Sequence, residues 1–136
     1  MSYPLNQVNT CTKYPYTIIS YMKTTTLLSR LHLIIEELRY IDREFPAQLM
    51  STYFYVMSHN GCYQKDMHEP LSMTSSSLTR NLQYLGCKHR SGKTGLFLVS
   101  RERCSKNYKK HRCYLSPKGL ILAKKIQARL EGKKPT

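Results

Sequence analysis

Residues 62–119 pass through three unlike patterns in a fixed order: a short polar helix pattern, a Ser/Thr-rich helix pattern and a strongly basic pair of strands. The apolar period changes within this stretch from helical to alternating, so it cannot form one long helix or one plain sheet. In the second pattern Leu78, Leu82 and Leu85 mark one face, and Ser76, Ser77, Thr79, Arg80 and Gln83 fall largely on the other. Thr74 or Ser75 suits the N-cap and Gly86 the C-cap, which predicts a helix over 73–85. Leu96-Phe97-Leu98-Val99 then reads as one strand and Arg112-Cys113-Tyr114-Leu115 as a second, with a polar, basic link over 101–111.

Charge is distributed as unevenly as pattern. Residues 1–68 carry 6 Lys/Arg against 5 Asp/Glu, and residues 69–136 carry 16 against 3. Thus +13 of the formal net charge of +14 lies in the second half, and residues 80–118 alone hold 11 basic side chains and 1 acidic one. So one-sided a field suits a polyanion, because each phosphate contact releases counterions and adds affinity for any sequence.

The flanking segments complete one domain over 24–131. Residues 1–23, with Pro4 and Pro15 and no sustained period, read as an extended N-terminal arm. Within it, Tyr16–Met22 could pair as a short strand or lie across another subunit. A helix is expected from Thr24–Thr26, carrying Leu27, Leu31, Ile34, Leu38 and Ile41 at nearly heptad spacing, with Leu28 and Ile35 widening the stripe. Pro46 opens a second helix over 47–60. Its Leu49, Met50, Tyr53, Phe54, Val56 and Met57 go most of the way round, as in a buried helix, and Asn60-Gly61 ends it. A short helix over 63–68 is expected to close at Pro70. Ser116 caps a last helix, with Pro117 in its first turn and Leu120, Ile121, Ile126 and Leu130 as its apolar face, before a frayed tail at 132–136.

Three stretches resemble the MarR-type winged-helix transcription regulators. Ser77-Leu78-Thr79-Arg80-Asn81-Leu82-Gln83-Tyr84-Leu85 is similar to that family's recognition helix. Arg112-Cys113-Tyr114-Leu115-Ser116-Pro117-Lys118-Gly119 is similar to its second wing strand running into the final helix, and Gln64-Lys65-Asp66-Met67 to its support helix. The resemblance spans 24–131. It implies a mainly α fold with a small β wing (α+β), a winged helix-turn-helix whose terminal helices form a dimerisation region. Leu27, Leu31, Ile34 and Leu38 of the first helix and Leu120, Ile126 and Leu130 of the last would then join two copies. Two features depart from the family. It often has an acidic residue two positions before the wing arginine, where this chain has Lys110, and the segment 87–95 is longer than the usual link to the wing.

The residue chemistry fits duplex DNA as the partner. Ser75, Ser76, Thr79, Arg80 and Gln83 could enter a major groove, where Arg grips guanine and Gln grips adenine through paired hydrogen bonds. Arg101, Arg103, Lys106, Lys109, Lys110 and Arg112 could hold phosphates. The expected function is a sequence-specific, double-stranded-DNA-binding transcription regulator acting as a homodimer, most simply a repressor. The alternatives are a non-specific nucleic-acid or nucleoprotein module and a winged-helix domain that docks a protein.

Other classes fit poorly. Cys87, His89, Cys104, His111 and Cys113 are possible zinc ligands, but their spacing is neither CxxC nor HxxxH, so no metal is expected. Five cysteines without regular spacing argue for reduced thiols, with Cys11, Cys62 or Cys104 as candidate oxidant sensors. Residues 86–94 imitate a phosphate-binding loop, yet place five residues between glycines where four are needed, and between helix and strand in the wrong order. Glu36-Glu37 look like a solvated helix face and not a catalytic pair, so no enzyme and no cofactor are expected. No apolar run approaches the roughly 20 residues of a membrane span, and no secretory signal is seen, which suggests a cytoplasmic protein. Tyr53, Phe54 and His32 could line a pocket for an unknown small-molecule effector, since family members often bind aromatic anions between the two lobes.

Overall fold

The structure is a computed structural model that describes residues 15–87 and 91–135, without the side chains of 15–24, 108 and 109. Helix α1 runs Pro15–Ile41. It therefore begins well before the expected cap at Thr24–Thr26, and the segment 16–22 is helical, neither a strand nor an extended arm. Pro15 explains the early start: its fixed φ suits a first helical position, and no Gly or Pro interrupts the chain from there to Ile41. The rest of the expected arm lies outside the described residues. Past Ile41, the Asp42 carboxylate accepts from the Glu44 N–H at 3.1 Å and turns the chain toward Phe45.

Helix α2, Ala47–Ser58, follows Pro46, which occupies the capping position in extended conformation. Its buried face is Leu49, Thr52, Tyr53 and Val56. The chain leaves it through Gly61 at φ 86, a left-handed geometry that costs glycine little. The expected short helix over 63–68 is replaced by strand β1, Cys62–Tyr63, a 3-10 turn, Gln64–Met67, and helix α3, His68–Leu71. Pro70 does not close this segment but sits inside α3, where a first-turn residue has no N–H bond to lose. The stop comes at Ser72, at φ 50.

Helix α4, Ser75–Leu85, is capped as expected: the Thr74 hydroxyl accepts from the Ser77 N–H at 3.2 Å, and Gly86 ends it. The strand expected over 96–99 is not formed as such. Instead, Leu96, Phe97 and Leu98 donate their N–H groups to the carbonyls of Tyr84, Gly86 and Leu85 at 2.7–2.9 Å. A helix end leaves such carbonyls without partners, and this segment supplies them. Strand β2 therefore starts only at Val99 and runs to Cys104, and β3 runs Asn107–Leu115. The basic link over 101–111 is itself the hairpin, paired from Val99↔Leu115 to Arg103↔His111, with an irregularity between Arg103 and Cys104. The sheet order is β1-β3-β2, all antiparallel.

Helix α5, Pro117–Leu130, has Ser116 as cap, whose hydroxyl accepts from the Gly119 N–H at 2.9 Å and donates to the Phe97 carbonyl. The face it turns inward is Gly119, Leu122 and Ile126, not Leu120, Ile121 and Leu130, which are exposed. That spacing is the true helical stripe, and it places a glycine where the helix meets the Leu98 backbone. One core joins these parts: Leu38, Tyr53, Val56, Met67, Leu78, Leu82, Leu85, Leu98, Cys113 and Ile126. Tyr53, though fully buried, is satisfied: its hydroxyl donates to the Gly119 carbonyl at 2.7 Å.

The seven residues expected to join two copies divide into two groups. Ile34, Leu38 and Ile126 are buried in the chain's own core. Leu27, at 63% exposure, and Leu31, Leu120 and Leu130 stand open to solvent, joined there by Leu28 and Ile121. Helices α1 and α5 are braced side by side through an Arg129–Glu37 ion pair at 3.0 Å and an Arg30 guanidinium donating to the Leu130 carbonyl at 3.1 Å.

Candidate nucleic-acid interface

The rotation of α4 is set from below. Leu78, Leu82 and Leu85 enter the core, and so does Asn81, which the apolar pattern did not single out. Asn81 donates through its amide nitrogen to the Thr52 hydroxyl at 3.5 Å and approaches the Met73 sulfur at 3.4 Å. Thr52 in turn donates to the Gln48 carbonyl at 2.8 Å. A buried polar chain of this kind fixes one helix orientation, since any rotation leaves a donor without a partner. The opposite face then presents Ser75, Ser76 and Arg80 fully and Thr79 and Gln83 in part. Arg80 lies back along its own helix, its guanidinium donating to the Ser76 carbonyl at 3.3 Å and to the Ser77 hydroxyl at 3.4 Å. Both bonds are long and exposed, so a stronger acceptor can draw the side chain outward.

The wing alternates as a two-stranded ribbon must. Cross-strand pairing sets Arg101 opposite Cys113 and Arg103 opposite His111 on one face, with Glu102 opposite Arg112 on the other. Burial and, secondarily, the charges of Arg101 and Arg103 hold the His111 imidazole below its ordinary pKa. On the other face the Tyr63 ring is surrounded by three cations: Arg112 at 4.7 Å from its centroid, and Lys65 and Lys110 each at 5.8 Å. The ring's cation–π contact helps to position the Arg112 side chain, where the family often has an acidic residue and this chain has Lys110. Tyr63 and Lys65 were not among the expected site residues, because nothing local marks them. Lys106 is exposed at the hairpin tip, and the Lys109 side chain lies outside the described residues.

Helix and wing are linked. Arg101 donates to the Gln64 side-chain oxygen at 3.2 Å, and the Gln64 side-chain nitrogen donates to the Thr79 hydroxyl at 3.0 Å. A groove of about 750 Å³ opens between the end of α4 and the hairpin, lined by Gln83, Phe97, Arg101, Arg103, His111 and Tyr114 among others. Of the expected site residues, Thr79 and Arg101 thus share one bridging amide, Gln83 shares the groove with Arg101 and Arg103, and Lys110 and Arg112 gather on Tyr63. Ser75 and Ser76 stand at the start of α4.

The other candidate chemistries find less. Among the described residues, no three His, Cys, Asp or Glu side chains are placed to hold a metal ion, and His89 lies outside them. Cys62 and Cys113 face each other across β1 and β3. Tyr53 belongs to the core, and Phe54 packs beside it at 6.0 Å between ring centroids. His32 lines a shallow groove of about 430 Å³ with Thr25, Leu28, Ser29 and Leu33. No helix of the described residues is long and apolar enough to cross a membrane.

No model of a known protein family matches this chain, and neither does any curated protein sequence. Solved structures do match. S. aureus MepR carrying F27L, bound to an oligodeoxyribonucleotide, superposes with a TM-score of 0.62 at 17% identity, covering 84% of this chain and 77% of that one. A MarR transcriptional regulator from Methanosarcina mazei Go1 gives 0.57 at 16% identity, covering 88% and 76%. The PcaV regulator of Streptomyces coelicolor in complex with its natural ligand gives 0.51 at 14% identity, covering 97% and 79%. At such identities the likeness establishes the fold: this chain has the winged helix-turn-helix fold of the MarR-type regulators, mainly α with a small antiparallel wing.

Proposed function

We propose that this protein is a sequence-specific, double-stranded-DNA-binding transcription regulator that acts as a homodimer and represses by blocking promoter access. The observation that carries the reading is the linkage of a polar-faced helix to a cationic wing. Thr79 of α4 and Arg101 of β2 are held to the same Gln64 amide, so a base-contacting element and a phosphate-contacting element keep one geometry. The fold is one that MepR uses with an oligodeoxyribonucleotide bound. In the homodimer the exposed side chains Leu27, Leu28, Leu31, Leu120, Ile121 and Leu130 become the contact between copies. Two recognition helices then meet half-sites about one turn of DNA apart. The reading entails a non-enzymatic, cytoplasmic protein.

Selection of binding sites from a randomised duplex-DNA pool at physiological salt tests this. The expected result is an inverted repeat with half-sites about 10 base pairs apart, centre to centre. In the same assay Arg80→Ala relaxes base preference, whereas Lys110→Ala with Lys109→Ala weakens all sequences alike and lowers the salt slope. Retention of DNA without any motif would replace the reading with a non-specific nucleic-acid module. Failure to retain DNA would point to a protein partner.

A further inference from the structure

We propose that Gln64 sets the hydrogen-bonding polarity of the Thr79 hydroxyl, and through it the base that α4 accepts at one position of each half-site. The inference rests on the DNA-binding reading and goes beyond it, because Gln64 itself touches no base.

The orientation of the Gln64 amide follows from its neighbours. A guanidinium only donates, so the atom facing Arg101 at 3.2 Å has to be the oxygen. The nitrogen then faces Thr79 at 3.0 Å, and an amide nitrogen only donates. Thr79 is therefore obliged to accept. A hydroxyl that accepts from one side keeps its proton and one lone pair to direct elsewhere, and this one makes no hydrogen bond to an acceptor among the described residues. Thr79 is half-buried on the outer face of α4, so the proton is aimed at whatever meets that helix. In a major groove the acceptors are guanine N7 and O6, adenine N7 and thymine O4, whereas cytosine offers only its amino donor. A Thr79 held in this way donates to a purine or thymine, and so favours them over cytosine, which only its remaining lone pair could meet. Arg101 is the origin of the polarity: a wing residue, through one amide, fixes what a recognition-helix hydroxyl can read.

The conservative variant reverses the arrangement. In Gln64→Glu the carboxylate still accepts from Arg101, so the wing keeps its anchor, but it has nothing to donate to Thr79. The hydroxyl then donates inward and turns its lone pairs outward, which favours the amino groups of cytosine and adenine.

The experiment is site selection from the randomised duplex pool with the wild type, Gln64→Glu, Gln64→Met and each glutamine variant combined with Thr79→Val. The wild type is expected to yield a motif in which cytosine is the least favoured base at one position per half-site. Gln64→Glu keeps the spacing and the other positions but raises cytosine at that position about fivefold, the effect of one hydrogen bond. Gln64→Met, which bonds to neither partner, leaves that position degenerate. In the Thr79→Val background neither glutamine variant alters the motif. An unchanged position in Gln64→Glu, an equal change without the Thr79 hydroxyl, or a uniform loss of preference at all positions overturns the proposal while leaving the regulator reading intact. A wild type that yields no motif overturns both.

Discussion

Tyr84 donates its hydroxyl proton to the Asp42 carboxylate across 2.5 Å, tying the last turn of α4 to the residue that follows α1. The bond to Asp42, then burial, then the negative charge itself, push the Tyr84 phenol up from 10.0 to about 12. A folded-state pKa above the unfolded value stabilises fully below pH 10 and is lost as pH rises toward 12. Tyr84→Phe is therefore expected to lower stability by about 1 kcal/mol at neutral pH, and to flatten the alkaline loss of stability in that window. Urea titrations at several alkaline pH values measure both effects. An identical alkaline profile in the variant would show that the bond does not form in solution.

The first turn of α5 meets the Leu98 backbone so closely that a Cβ on Gly119 would overlap the Leu98 carbonyl oxygen. Leu98 is already committed, its N–H to the Leu85 carbonyl and its carbonyl to the Ser116 N–H. Gly119→Ala is thus expected to cost about 3 kcal/mol or more, as overpacking against backbone that cannot retreat. Gly92 supplies the contrast. It sits at φ 81 with nothing within 4 Å of an added Cβ, so Gly92→Ala meets only the left-handed penalty of about 1 kcal/mol. Chemical denaturation of the two variants should separate them clearly, and equal losses would mean that α5 does not dock on Leu98.

What could be read from the residues was what depends on near neighbours. Thr74, Gly86 and Ser116-Pro117 mark helix ends because caps act over three or four residues, and all three stand where expected. The leucines at 78, 82 and 85 define the buried face of α4 for the same reason. The failures are failures of distance. Leu96–Leu98 look like a strand, but the carbonyls that take their N–H groups belong to a helix end earlier in the chain. Gln64 resembles part of a support helix, and only folding reveals that it meets Thr79 at a separation of 15 residues and Arg101 at 37. Leu120 and Leu122 are equally apolar, and the choice between them was made by the glycine that brings α5 against Leu98.

The cysteines that face each other across the sheet should be slow to react. Burial raises the Cys113 thiol up to about 12, and burial also raises that of Cys62. A thiolate is the nucleophile, so neither residue is expected to alkylate readily at neutral pH in the folded protein. Cys87 is exposed and Cys104 half-exposed, and iodoacetamide labelling followed by mass spectrometry should find these modified first. Early labelling of Cys113 would contradict the pairing of β1 with β3. The oxidant-sensor role considered for Cys62 is not favoured by this placement.

The division of the apolar seam gives the proposed homodimer a direct test. Leu31 and Leu120 are about half exposed in the single chain, whereas Leu38 is fully buried. Leu31→Glu with Leu120→Glu is expected to leave the circular dichroism spectrum and the melting cooperativity intact while sedimentation shows a monomer. Leu38→Glu is expected to unfold the chain, since a buried unpaired carboxylate costs several kcal/mol. Should the double variant sediment like the wild type, these leucines do not form the contact between copies.

If the proposed DNA binding holds, His111 should make it sensitive to mild acid. In the free protein its pKa lies below 6.5 because burial and the charges of Arg101 and Arg103 disfavour the imidazolium. The unfolded chain takes the proton more readily, so the neutral ring's contribution to stability is present above 6.5 and is lost as pH falls through the lower folded value. A phosphate held by Arg101 and Arg103 offsets those charges and adds a negative one, which raises the pKa again. Binding then takes up a proton, and affinity should increase as pH falls below 6.5, by up to about tenfold for each pKa unit regained. Dissociation constants at constant salt, measured at pH 7.5 and 5.5 for wild type and His111→Gln, read this directly. The wild type should tighten more than the variant, and parallel behaviour would mean that no phosphate approaches this face of the wing.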